Sequence, residues 1–192
     1  MPVSIDICNQ ALSLVGAGRV TGIDESTLEG SQCKLHYLPV LRHVLTAREW
    51  TFATKRRELA ESTATPAFGY SKSFTLPADC LKVRVCTDAS GYQFTDWVVE
   101  GKSISLNEAV CFIEYTSYEQ DASVYSGPFE QCFVHLLASR LAVPLMQSNS
   151  LKETHFAMYE RMLTEASGLD GSQGSPRRIG LRASRLVDVR SR

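Results

Sequence analysis

Glu49-Trp50-Thr51-Phe52-Ala53-Thr54-Lys55-Arg56-Arg57-Glu58-Leu59 is the stretch on which the fold turns. Upstream of it, apolar residues recur at helical spacing; downstream they alternate as in strands. Two large aromatics two residues apart, followed at once by basic residues, fit neither an amphipathic helix nor a half-buried strand. They read as an anchor between a helical body and a second layer. Trp50 and Phe52 are expected to be largely buried there, with Arg56 and Leu59 completing the joint. Full burial of Phe52 predicts that Phe52→Ala destabilises the chain by about 3 kcal/mol.

Two helices precede the anchor. Ser4 is an N-cap, Asp6 sits in the positive first turn, and Ile5, Cys8, Leu12 and Val15 repeat at helical spacing up to a stop at Gly16. A loop spans 16–23. Ser26-Thr27-Leu28-Glu29 has the form of a capping box opening a second helix, which continues through Leu35, Leu38, Leu41 and Leu45 with a bend at Pro39.

The period then changes. Residues 70–76, 81–85, 94–99, the Ile104/Leu106 pair and 110–115 are short β-prone runs, divided by Pro77-Ala78-Asp79, Ala89-Ser90-Gly91, Glu100-Gly101 and Asn107-Glu108. Turns this short join antiparallel neighbours, so a meander is expected rather than a parallel sheet. Its Lys82/Arg84 face is expected to be wet.

Helix returns after Pro128, with Phe129, Phe133, Leu136, Leu137 and Leu141 forming a broad apolar stripe that Pro144 bends or ends. Ser150-Leu151-Lys152-Glu153 resembles a second capping box and leads a helix to a stop near Gly168. Neither helical half carries enough apolar surface for its own core. The expected class is α+β: a discontinuous bundle of N- and C-terminal helices (1–62 and 127–168) around an inserted antiparallel β subdomain (63–126). A basic arm follows at 169–192.

Composition excludes several classes. The chain of 192 residues is 44% hydrophobic and 21% charged, as in ordinary globular proteins. It contains no apolar run of membrane-spanning length, and Asp6 stands where a secretory signal would be basic. A cytosolic site of synthesis is expected. The net charge of −1 hides an asymmetry: residues 168–192 hold six arginines and two aspartates, leaving the body near −5. Arginines in the arm alternate with Leu181, Leu186, Val187 and Val189. A purely electrostatic nucleic-acid tail would not need those aliphatics, whereas a tail docking on a protein would. The bland alternative is a solvated terminus.

No residue set points to catalysis, a cofactor or a metal. The six cysteines (8, 33, 80, 86, 111, 132) lack paired metal spacing and read as small buried hydrophobes. Cys33 and His36 could share a helical face, with His43 two turns on, but no second ligand pair accompanies them. Gly16-Ala17-Gly18 follows a helix, not the strand that a dinucleotide-binding loop requires. His135 and His155 could stand on facing helices as packed core residues. Glu119 and Asp121 read as a solvated loop, and no nucleophile elbow occurs.

Taken in order, these features resemble the tail tubular protein A family, the head-to-tail adaptors of short-tailed bacteriophages. The resemblance runs over roughly residues 3 to 168. It rests on Ile7-Cys8-Asn9-Gln10-Ala11-Leu12 ending at Gly16, the acidic helix start at 24–29 with Tyr37 and Leu41, and Trp50-Thr51-Phe52-Ala53 with Arg56 and Leu59. It continues through Leu76-Pro77-Ala78-Asp79-Cys80-Leu81, Val99-Glu100-Gly101-Lys102-Ser103-Ile104 and Leu136-Leu137-Ala138-Ser139-Arg140-Leu141-Ala142.

The resemblance implies a non-enzymatic structural virion protein at the head–tail junction, assembled in the host cytoplasm. Such adaptors form a ring, usually of twelve copies, between the portal protein and the next tail component. DNA passes through the ring without specific binding, and no membrane or cofactor is involved. The C-terminal segment reaches the portal; by inference, Arg177, Arg178, Leu181, Arg182, Arg185 and Leu186 make that contact. The competing expectation is a protein that binds DNA or stabilises DNA ends through the same arginines.

Overall fold

A computed structural model describes residues 4–170, with side chains through Ala166. Four helices and six strands follow the order α1 (Ile5–Val15), α2 (Leu28–Ala47), β1 (Thr54–Glu58), β2 (Lys72–Thr75), β3 (Cys80–Thr87), β4 (Trp97–Glu100), β5 (Ser103–Leu106), β6 (Phe112–Ser117), α3 (Gly127–Met146) and α4 (Asn149–Asp170). The class is α+β, with helices from both ends of the chain sharing one core and the antiparallel strands lying between them in sequence.

Local chemistry sets the helix ends. The Ser4 side chain accepts from the Ile7 N–H at 3.4 Å, and Gly16 closes α1 at φ 79°, a left-handed conformation natural to glycine. Asn9 holds the following loop by exchanging two hydrogen bonds with the Val20 backbone, at 2.9 and 3.0 Å. The other two caps differ from expectation by one or two residues. Thr27, not Ser26, accepts from Gly30 N–H, and Ser148, not Ser150, accepts from Leu151 N–H, each at 3.2 Å. In both places an adjacent hydroxyl competes for the cap, so composition alone does not resolve which residue takes it. Helix α2 runs through Pro39, and α3 ends within a turn of Pro144, where Gln147 takes φ 52°.

α3 is the axis of the bundle. Every residue from Cys132 to Ser139 is buried, because α1, α2 and α4 all pack on it. The expected stripe is therefore a full circumference, as befits a helix apolar on all sides. Its polar members are satisfied locally: Ser139 donates to the Leu136 carbonyl at 2.8 Å, and His135 faces His155. Tyr159 of α4 is an exception. Its ring is 3% exposed, and its hydroxyl is buried with no hydrogen-bond partner.

The strands do not form the expected meander. They divide into two three-stranded sheets, β1-β6-β3 and β2-β5-β4, in which only β4 and β5 are both consecutive and paired. One corner joins the sheets and a second extends β3. Beyond β1, Ala60–Ser62 pair with β2 through Ser62 N–H to Ser73 O at 2.7 Å and Thr75 N–H to Ala60 O at 3.1 Å. Beyond β3, Asp88 N–H donates to Tyr92 O at 3.0 Å and Phe94 N–H to Cys86 O at 2.8 Å. The two sheets face each other across a second core of Leu59, Phe74, Cys86, Ile104, Leu106, Cys111, Ile113 and Tyr115.

β1 begins at Thr54, ahead of the expected boundary at 63. Lys55, Arg56, Arg57 and Glu58 are all exposed, so the strand has no apolar alternation to betray it and exists through its register with β6, Thr54↔Thr116 to Glu58↔Phe112. Tyr159→Phe removes an unsatisfied buried hydroxyl, so urea melts should show stability unchanged or raised by up to about 1 kcal/mol. A loss above about 1 kcal/mol would show that the hydroxyl has a partner.

Candidate functional site: the aromatic joint and the histidine groove

The Trp50 joint is where the two cores meet. Trp50 is fully buried, and its indole N–H donates to the Val44 carbonyl at 2.8 Å. That carbonyl belongs to the last turn of α2 and has no partner within the helix, so the indole caps the helix as well as filling the core. The backbone then tightens into one short 3-10 turn over Thr51–Ala53, with Ala53 N–H donating to Trp50 O at 3.1 Å. Thr54 Oγ1 donates to the same carbonyl at 2.8 Å.

From this turn the aromatic side chains reach α3. Trp50 meets Phe129 edge-on with ring centroids 5.1 Å apart, and Phe52 meets Phe129 at 4.9 Å. Tyr125 closes the cluster at 4.7 Å from Phe129 and 5.4 Å from Phe52. Phe52 is half-buried rather than core, because it covers the cluster's outer side. The expected roles therefore separate: Trp50 is the anchor and Phe52 its cover. Leu59 is buried at 6% exposure but belongs to the β core, and Arg56 lies outside both.

Polar contacts bind the β body to the bundle on the other side. Ser117 Oγ donates to Ala53 O at 3.0 Å, and Arg42 of α2 lies 4.8 Å above the Tyr118 ring. Within the β body, Asp79 is a hub: it accepts from Tyr115 Oη at 3.1 Å and from Lys55 Nζ at 3.2 Å, and its carbonyl accepts from Tyr118 N–H at 2.7 Å. Arg84 reaches across from β3 to Thr116 Oγ1 at 2.9 Å and Thr54 Oγ1 at 2.7 Å. Arg56 pairs with Glu114 at 2.9 Å, but its side chain is 76% exposed, so this pair adds little stability.

A second feature lies between α1 and α3. Asp6, Gln10, Arg19, Glu130 and His135 line a polar groove of about 660 Å³, bridged by a 2.7 Å hydrogen bond from Gln10 Nε2 to Glu130 Oε1. His135 connects this groove to the core. Its Nδ1 stands 3.3 Å from Nδ1 of His155, whose Nε2 is 3.3 Å from the Leu14 carbonyl. A carbonyl only accepts, so His155 carries its proton on Nε2 and its Nδ1 is an acceptor. His135 then donates from Nδ1, leaving its Nε2 as an acceptor. Burial, followed by the neighbouring His155, holds the His135 imidazole below its ordinary pKa and favours the neutral ring.

The sequence places these histidines on helices that could face one another, and the structure brings them together. Cys33, His36 and His43 do not converge: among the described residues, no group of three or more histidine, cysteine or acidic side chains could hold a metal ion. No helix among them is long and apolar enough to cross a membrane. Arg177, Arg178, Leu181, Arg182, Arg185 and Leu186 lie outside the described residues. Spacing gave no sign of the Asp79 hub, whose partners come from β1, β6 and the residue following β6.

Trp50→Ala should destabilise the chain by about 4 kcal/mol and Phe52→Ala by about 2, because only Trp50 is fully buried. Equal losses in denaturant melts would contradict that division of roles. Stability should also fall on acidification. The unfolded chain protonates its histidines near pH 6.5 whereas folded His135 resists protonation, so the unfolded state binds more protons below that pH. The slope, at most about 1.4 kcal/mol per pH unit for one proton, should flatten in His135→Gln. Neither protein-family models nor curated proteins show a match to this chain.

Proposed function

We propose that this chain is a head-to-tail adaptor, a structural virion protein that assembles as a ring joining a portal to the tail and forming part of the DNA exit channel. The observation that carries the proposal is the joint. The stretch central to the family resemblance, Trp50–Leu59, runs from the helical core, where Trp50 caps α2 and packs on Phe129, into the β core, where Leu59 is buried, and Ser117 Oγ of β6 bonds back to Ala53 O. Such a part is suited to transmitting load between neighbours in an assembly.

The charge distribution fits the same role. A channel for DNA works best when it does not grip phosphates, since each neutralised phosphate adds affinity. A body near −5 suits such a lumen, and the six arginines of 168–192 suit an acidic protein surface. On this proposal the partners are the portal protein, the next tail component and further copies of the chain. The basic arm makes the portal contact.

Cryo-electron microscopy of the chain mixed with its neighbouring portal protein should reveal a ring bound through the arm, and deletion of 169–192 should abolish co-assembly while leaving the body folded. Unchanged co-assembly after the deletion would remove the arm's role, and a monomer under all conditions would remove the adaptor. Strong, salt-sensitive retention of duplex DNA by the purified chain would instead favour a DNA-binding protein acting through the same arginines.

A further inference from the structure

Four of the six cysteines form two pairs, Cys8 with Cys33 in the helical core and Cys86 with Cys111 in the β core. Cys86 Sγ and Cys111 Sγ stand 3.1 Å apart, both fully buried in the β core. A disulfide needs about 2.05 Å, so closure requires a movement of roughly 1 Å. Backbone pairing explains the proximity. Cys86 is the register partner of Ile113 on β6, and Cys111 lies two residues before Ile113, on the same face of the extended chain. Cys111 stands just outside the ladder, where its carbonyl accepts from Leu59 N–H at 2.8 Å. Both sides of the pair are therefore held by backbone hydrogen bonds.

We propose that Cys86 and Cys111 are a redox-modifiable pair that closes to an intramolecular disulfide under peroxide, fastening the end of β3 to the segment that leads into β6. The two sulfurs share one hydrogen bond, in which either thiol can donate. The thiolate of one cysteine attacks one peroxide oxygen, the O–O bond breaks, and the departing hydroxide takes up a proton as water. The sulfur of the other cysteine then attacks the resulting sulfenic acid, forming the S–S bond and releasing a second water. Two thiols are oxidised and one peroxide is reduced to two waters. Peroxide is small and uncharged, as access to a buried pair requires.

The disulfide would enclose β4 and β5 in a covalent loop and restrain the corner where Phe94 N–H meets Cys86 O. This proposal is independent of the adaptor function, and its test does not involve a portal or DNA. The full chain, reduced and then exposed to hydrogen peroxide, is digested under acidic conditions and mapped by mass spectrometry.

The expected result is a linked Cys86–Cys111 peptide, a loss of two hydrogens from that pair, reversal by dithiothreitol, and a thermal midpoint raised by several degrees. Cys86→Ala and Cys111→Ala should each abolish the linked peptide and the rise in thermal midpoint, with circular dichroism confirming that both variants fold. Failure of wild-type chain to yield the linked peptide, whether Cys86 stays reduced or over-oxidises, would overturn the proposal. So would a link from either residue to Cys80.

Discussion

The constraint on which this structure depends is the burial of α3 on every side. Eight consecutive residues, Cys132 to Ser139, are withdrawn from water, so no single partner helix could satisfy α3. α1 and α2 arrive from the N-terminal end of the chain and α4 from the C-terminal end, and only together do they close the bundle. A helix that must be wrapped from both ends of the sequence forces the intervening strands out as a separate body. The discontinuous bundle follows from this one requirement.

The same burial dictates the chemistry of the polar groups on α3. Ser139 turns back to its own helix, and His135 is held neutral against His155. A charged imidazole there would lose its hydration. The pair is thus a consequence of packing first. It also orients the His135 ring at the border between the core and the polar groove beside Glu130 and Asp6.

Between the bundle and the β body, one side chain does two jobs. Trp50 fills the space beside Phe129 and caps the last turn of α2, so the chain leaves the helix in one direction and enters β1 within a few residues. Asp79 and Ser117 then secure the strands from the opposite side. Two apolar cores meet here, with Leu81 and Tyr118 of the β body packing against the helical core and Ser117 Oγ bonding Ala53 O. Such coupling keeps each body intact while fixing their mutual approach, which is what the proposed assembly role asks of it.

Where local chemistry was sufficient, the sequence alone determined the outcome. Ser4 and Gly16 bound α1, Pro128 opens α3, and Leu81–Val85 lies in β3 with Lys82 exposed. Arg84, expected on the same wet face, is instead half-buried against Thr54 and Thr116, because β3 shifts register against β6 there. The buried Trp50 was legible because a large aromatic at a change of period has few places to go. Tertiary structure decided the rest. β1 carries four exposed side chains after Thr54, so only pairing with β6 makes it a strand. Strand order within the two sheets depends on corners at 60–62 and 88–94, which short-range turn signals do not encode. The approach of His135 to His155 and of Cys86 to Cys111 likewise arises from segments 20 and 25 residues apart. Periodicity and capping report what a residue does to its neighbours in the chain. Which distant surface covers it is settled only when the apolar circumference of α3 is wrapped and the two sheets enclose their own core.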